Sequence, residues 1–244
     1  MRIRRLAAAA SVTVLALSAL TACGDSDEKD NSKTDAKALG DQATAAMKEK
    51  STVKVSGTGT DEDGKKMTMD ACADIKTKAV KGSMTMDGRK VDIVQVGGMQ
   101  YMKADAAFWA SQSGNENNPK ALDAVTKAGS DKWVKSEADK DDDFADFFDG
   151  KTDGLTKGEV TTFNGKKAIP LSRSEDGTKK TYYVAAKGTP FILGKTETSE
   201  NGGTDNQESK FSVTGDKCEP KAPSDTVDIE EFGNKIDEAM GSGS

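Results

Sequence analysis

Met67-Thr68-Met69-Asp70-Ala71-Cys72-Ala73-Asp74-Ile75 sets an apolar side chain at every second position for nine residues, and that period of two decides the fold. Successive side chains of a strand point to opposite faces, so such a run presents one apolar side and one polar side. The same alternation surrounds it, with Val53/Val55 before and Met84/Met86, Val91/Ile93 and Met99/Tyr101 after. The turn dipeptides Asp63-Gly64, Lys81-Gly82, Asp87-Gly88 and Gly97-Gly98 separate these runs too closely for crossover helices, which predicts an antiparallel meander. Cys72 is out of step with its apolar neighbours and is expected on the more polar face.

Outward from this stretch the period changes. Ala36, Leu39, Ala43, Ala46 and Met47 share one helical face, with Asp35 as the cap. After the meander, Asn118-Pro119 starts a helix, Leu122 and Val125 share its face and Gly129 ends it. A second short helix is expected from Asp141, Asp142 and Asp143 to Gly150, with Phe144, Phe147 and Phe148 on one stripe. Strands resume from Glu159, at Val160–Phe163, Lys167–Ile169, Thr181–Val184, Phe191–Leu193 and Lys210–Val213, with hairpin turns at Asn164-Gly165 and Asp176-Gly177. The Gly- and Asn-rich stretch 200–207 reads as a mobile loop. Ile229, Phe232, Ile236 and Met240 read as a terminal helix, and residues 241–244 as a linker tail. This order predicts one α+β domain over 36–240, with helices covering one face of a large curved antiparallel sheet.

Residues 1–22 differ in kind. Their only charges are Arg2, Arg4 and Arg5, an apolar run extends from Leu6 to Leu20, and small residues precede Cys23, as in an export signal. The run is short for a span that needs about 20 apolar residues. Leu20-Thr21-Ala22-Cys23 matches a bacterial lipobox, in which the cysteine is acylated and the preceding segment removed, so Cys23 is the expected lipidation site on the outer face of the cytoplasmic membrane. The pair Arg4-Arg5 leaves the export route open between the general and the twin-arginine systems. Residues 24–35 carry no apolar side chain and, with Cys23, are read as a flexible lipidated tether.

Composition excludes several functions. The 244 residues contain no histidine, which removes Ser-His-Asp and Cys-His nucleophiles, His-ligated zinc and the usual base near neutral pH. Loss of residues 1–22 takes away three arginines and no acid, moving the formal charge from −6 to −9. Nucleic acid is therefore not an expected partner, and anionic headgroups repel the chain, leaving acylation to hold it at the membrane. Asp139, Asp141 and Asp143 open like a calcium loop, but Phe144 stands where glycine is obligatory and Gly150 where the closing glutamate belongs, so no metal is expected there. Ser51-Thr52-Val53-Lys54 has the Ser-x-x-Lys spacing of penicillin-interacting enzymes but begins a strand and lacks the companion motifs. No cofactor and no enzymatic activity are expected. With Cys23 assigned to lipid, Cys72 and Cys218 remain and are expected to form a disulfide in an oxidising compartment; the rival reading is two free thiols, and neither has a Cys-x-x-Cys spacing.

The element order, the Cys23 lipobox, Lys54-Val55-Ser56-Gly57, Gly98-Met99-Gln100-Tyr101-Met102-Lys103 and Val184-Ala185-Ala186-Lys187-Gly188-Thr189-Pro190-Phe191 resemble the LppX/LprG-type lipoproteins of the LolA-like superfamily, over about residues 36 to 228. The resemblance implies a half-barrel closed by helices around an apolar cavity that carries a lipid or lipid-linked molecule. Six methionines cluster at Met67, Met69, Met84, Met86, Met99 and Met102, and a flexible thioether adapts to ligands of varied shape. With Ile93, Tyr101, Tyr183, Phe191 and Leu193 they are the candidate ligand wall, faced by Phe108, Trp109, Phe144, Phe147 and Phe148 of the covering helices. Plain core packing accounts for the same positions. Two functions follow: a membrane-anchored carrier of a hydrophobic ligand, or a solidly cored surface or sensor-accessory lipoprotein whose protein partner the sequence does not identify.

Overall fold

The structure, a computed structural model, describes residues 28–60, 64–112, 114–115, 117–138, 151–201, 206–214 and 216–241. The meander forms as β1 (Thr52–Thr60), β2 (Lys66–Asp74), β3 (Ala79–Met86), β4 (Arg89–Val96) and β5 (Met99–Ala104), each antiparallel to the next. Lys81-Gly82 is not a turn. It lies inside β3, and the chain reverses before it, where Lys78 takes φ 55°. Gly82 serves close strand approach instead, since a Cβ there would sit 2.5 Å from that of Ala71 on β2. The turns at Asp87-Gly88, Gly97-Gly98, Asn164-Gly165 and Asp176-Gly177 do form, each with two successive positive φ values, which matches the twist of the flanking strands.

The second run comprises β6 (Trp133–Glu137), β7 (Thr156–Lys157), β8 (Thr161–Phe163), β9 (Lys166–Glu175), β10 (Thr178–Ala185), β11 (Ile192–Ser199) and β12 (Asn206–Val213); β13 (Thr226–Asp228) follows. Asn206 and Gln207, expected in a loop, begin β12. Because β12 pairs with β1, both runs join one open 13-stranded sheet in the order β13-β6-β5-β4-β3-β2-β1-β12-β11-β10-β9-β7, with β8 on β9. The β13–β6 pair is parallel.

The helices lie on one face. Asp35 caps α1 (Ala36–Glu49), and Leu39, Ala43 and Met47 pack on Val53, Val55, Ile169, Leu171, Tyr182, Val184 and Ile192. Burial of each large side chain in this cluster contributes about 1.5–3 kcal/mol. At the other end α2 (Ala106–Ser111), α3 (Pro119–Ala128) and α4 (Ile229–Met240) cover Val134 and Val227, and Phe108 covers Val91 and Ala104. Asn118 caps α3 and Gly129, at φ 108°, ends it. The helix expected over 141–150 lies outside the described residues.

Residues 29–34, expected in the tether, dock on the domain. Asn31 is fully buried in a 3₁₀ turn, Asn31–Lys33; its backbone N–H donates to Ala186 O, and its side-chain amide donates to Ala185 O and Gly188 O. Lys157 Nζ donates to the carbonyls of Ser32 and Thr34. A segment without apolar side chains is held by hydrogen bonds instead of burial of hydrocarbon. Among the described residues no helix is long and apolar enough to cross a membrane.

Candidate functional site

Antiparallel partners share a face, so the register assigns every strand residue to one side. Met67 and Met69 stand opposite Met86 and Met84 on β3 and opposite Gly59 and Gly57 on β1. Met84 stands opposite Val91, and Val91 opposite Ala104 beneath Phe108, which places the four methionines on the helix-bearing face. There they occupy the band between the part covered by α1 and the part covered by α2 to α4. All four are half-buried, whereas Val55 and Val91 on either side are 2% and 0% exposed. Met84 and Met86 pack beside the Phe108 cluster, and Met69 packs at the edge of the α1 cluster.

This band lines a depression of about 140 Å³ bounded by Gly57, Gly59, Gln207 and Ser209 on the β1–β12 side. Both glycines lie close to β12: a Cβ on Gly59 would come within 2.8 Å of Asn206 O, and one on Gly57 within 3.2 Å of Glu208 O. Met67 and Met86 also line a second depression of about 350 Å³ toward α2, bounded by Phe108, Ser111, Gln112, Lys65, Asp87 and Arg89. The two share Met67 and Met86 and together are taken as the candidate groove, with an apolar floor and a polar end. Arg89 pairs with Met86 across the hairpin, points to the same face, is half-buried, and has no hydrogen-bond or ion-pair partner among the described residues.

Other candidate wall residues divide. Ile93 faces the same side as the methionines and packs beside Phe108, as does Met102. Trp109 is edge-on to Phe108 and Phe232, filling the seam between α2 and α4. Met99 and Tyr101 are on the opposite face, because Met102 and Ala104 take the inward positions opposite Ile93 and Val91. Tyr183 and Leu193 also face outward; Tyr183 stacks on Phe163 with centroids 4.1 Å apart, and Leu193 joins Phe163 and Ala168 in a small back-face cluster. Phe191 packs at the edge of the α1 core, beside a cleft of about 570 Å³ that also holds Lys50, Lys166 and Phe211. Phe144, Phe147, Phe148 and the lipidation candidate Cys23 lie outside the described residues. Gly57, Gly59, Arg89, Gln207 and Ser209 were not legible as site residues, since only the β1–β12 and β3–β4 registers bring them to the methionines.

The titrating groups are elsewhere. Asp30 is held below the usual aspartate range by hydrogen bonds from Ser32, Asp41 by one from Thr152, Glu175 by Lys151 and Asp216 by Lys54, while Asp153 and Asp41 raise Lys37. Asp30, Lys37, Asp41 and Asp216 are exposed and Glu175 is half-buried, and none of the five lines the groove. Among the described residues no group of three or more Cys, Asp or Glu could hold a metal ion. Cys72 and Cys218 are joined as a disulfide, with Cα atoms 5.9 Å apart.

No protein-family model matches the chain, and no curated protein matches it. Its architecture is similar to that of several solved structures at low identity. The lipoprotein LppX of Mycobacterium tuberculosis is 14% identical, the match covering 72% of this chain and 92% of LppX with a TM-score of 0.43. A LolA superfamily protein from Nitrosomonas europaea is 7% identical over 72% of this chain and 91% of its own, with a TM-score of 0.31. MucB, also solved with MucA from Pseudomonas aeruginosa, is 12% identical over 80% of this chain and 65% of its own, with a TM-score of 0.45.

Proposed function

We propose that this chain is a lipid-anchored extracytoplasmic binding protein that takes the apolar part of a lipid or other hydrophobic ligand into the methionine groove. The observation that carries this reading is the band Met67, Met69, Met84 and Met86, four adaptable apolar side chains left half-buried between the parts of the sheet that α1 and α2 cover. The part of the groove over this band, about 140 Å³, is smaller than the roughly 300–1,000 Å³ of an ordinary ligand pocket, so an elongated chain continuing toward α2 fits better than a compact molecule. Acylation of Cys23 supplies the membrane partner, and the Cys72–Cys218 disulfide suits the outer face of the cytoplasmic membrane. The chain is read as a carrier or receptor, not an enzyme, without a cofactor.

The test is native mass spectrometry of residues 24–244, which include every described residue, exported in several hosts, gently purified and then extracted with organic solvent. Adducts spaced like acyl chains support the reading. A clean apo mass from every host, with no uptake of added dodecyl maltoside, overturns it and leaves the cored surface lipoprotein. The anchor is tested separately: incorporation of labelled palmitate by the full chain should vanish in Cys23→Ser, and equal labelling of both would remove the lipidation claim.

A further inference from the structure

Resting on the reading of the groove as a hydrophobic-ligand site, we propose that Arg89 makes it selective for an anionic amphiphile, a single chain ending in a carboxylate or phosphate. The chain would lie over the methionines and the head against the guanidinium. Three observations support this placement. Arg89 projects from the same face as Met86, at the end of the apolar band, and lines the depression with Phe108. It is half-buried there without an acid to pair with among the described residues, although the mature chain carries an excess of acids that elsewhere pair with lysine. A cation withdrawn from water beside apolar side chains is costly unless something neutralises it, and a guanidinium matches a carboxylate or phosphate by two parallel hydrogen bonds.

The rest of the polar end fits the same occupant. Asp87, which also lines this end, is exposed on the turn before Arg89 and makes no ion pair with it. Gln112 supplies an amide whose N–H groups can donate to the head, whereas Ser111 Oγ donates its proton to Phe108 O, 2.7 Å away, and has none to offer. A neutral or cationic head would leave the Arg89 charge unanswered, so the discrimination falls on the head and not on the chain.

The test is isothermal titration of residues 24–244, with the disulfide intact, using dodecanoate, dodecyl phosphate and dodecyl maltoside, all below their micellar concentrations. The expected result is binding of at least one of the two anions about tenfold or more tighter than the maltoside. In Arg89→Gln that ratio should fall to near one, and Arg89→Lys should recover part of it. Because Arg89 has no side-chain partner among the described residues, the variants should melt with the wild type, which checks that folding is intact. Equal affinity for anionic and neutral chains in the wild type, or a preference that survives Arg89→Gln, overturns the inference while leaving the hydrophobic site standing. Failure of all three probes to bind overturns both.

Discussion

Met84 shows what a single position contributes to the groove. It faces Met69 on one side and Val91 on the other, and its outer half remains in solvent. An aspartate there keeps its carboxylate hydrated, so Met84→Asp should cost no more than about 1 kcal/mol of stability. The same carboxylate removes apolar contact from the groove floor, so the variant should lose acyl adducts in native mass spectrometry and bind dodecyl maltoside at least about tenfold more weakly. Unchanged adducts would mean that the chain lies elsewhere, the 570 Å³ cleft beside Phe191 being the next place to look. Asn31 is the complementary case. Its side-chain amide satisfies two carbonyls from a fully buried site, so Asn31→Ala strands them and should destabilise the domain by about 1–3 kcal/mol in urea unfolding. A midpoint equal to that of the wild type would show that the 3₁₀ turn does not dock in solution. The composition of residues 24–35 conceals this contact, because polarity predicts solvent exposure unless tertiary partners for the polar groups are known.

Elements with local punctuation were legible, and those made by distant pairing were not. Asp35 before α1, Asn118-Pro119 and Gly129 around α3, and the four turns with paired positive φ all carry their signal within a few residues. Asn118→Ala should therefore cost about 1 kcal/mol by removing the acceptor for the Lys120 N–H, read as a lower denaturation midpoint with an unchanged slope. An unchanged midpoint would mean that packing of α3 on α4 alone holds the helix start. By contrast β7 and β13, of two and three residues, exist only because β9 and β6 offer them an edge, and no period is visible in so short a run. The outward turn of Met99 and Tyr101 has the same origin. Met99, Tyr101 and Met102 are all apolar, so the strand has two plausible inward sets. The choice of Met102 and Ala104 is made by pairing with Ile93 and Val91 under Phe108. Lys81-Gly82 misleads because glycine signals both a turn and a close strand contact, and only the presence of Ala71 opposite separates the two.

At the scale of the molecule, the ends of the chain are tied across the sheet. After β12 the chain passes to β13 at the far edge, seven strand intervals away, or about 34 Å at the usual spacing. Thirteen residue steps reach at most about 45 Å, so the connection is a nearly taut strap, and the disulfide from Cys218 to the outward-facing Cys72 pins it to β2. The bond closes a loop of 146 residues, and Cys72→Ser with Cys218→Ser should cost about 2–5 kcal/mol without affecting export or labelling at Cys23; equal melting temperatures with and without reductant would refute this. The charge arrangement sets the response to pH. Asp30, Asp41, Glu175 and Asp216 are held below their ordinary values, so each contributes stability that is fully present above the unfolded carboxylate pKa and lost as pH falls through the folded one. Lys37 is raised by Asp153 and Asp41, so its contribution is present below the ordinary lysine value of 10.5 and lost as pH rises through its folded value. With no histidine in the chain, no side-chain type present has an ordinary pKa between about 5 and 8. The melting temperature should therefore stay level from about pH 5.5 to 8.5 and fall below about pH 4. High salt should shrink the acid-side fall, because Asp30, Asp41 and Asp216 are exposed and screened. A step in melting temperature near pH 6 or 7 would require a strongly shifted group that these residues do not supply, and would refute this account of the electrostatics.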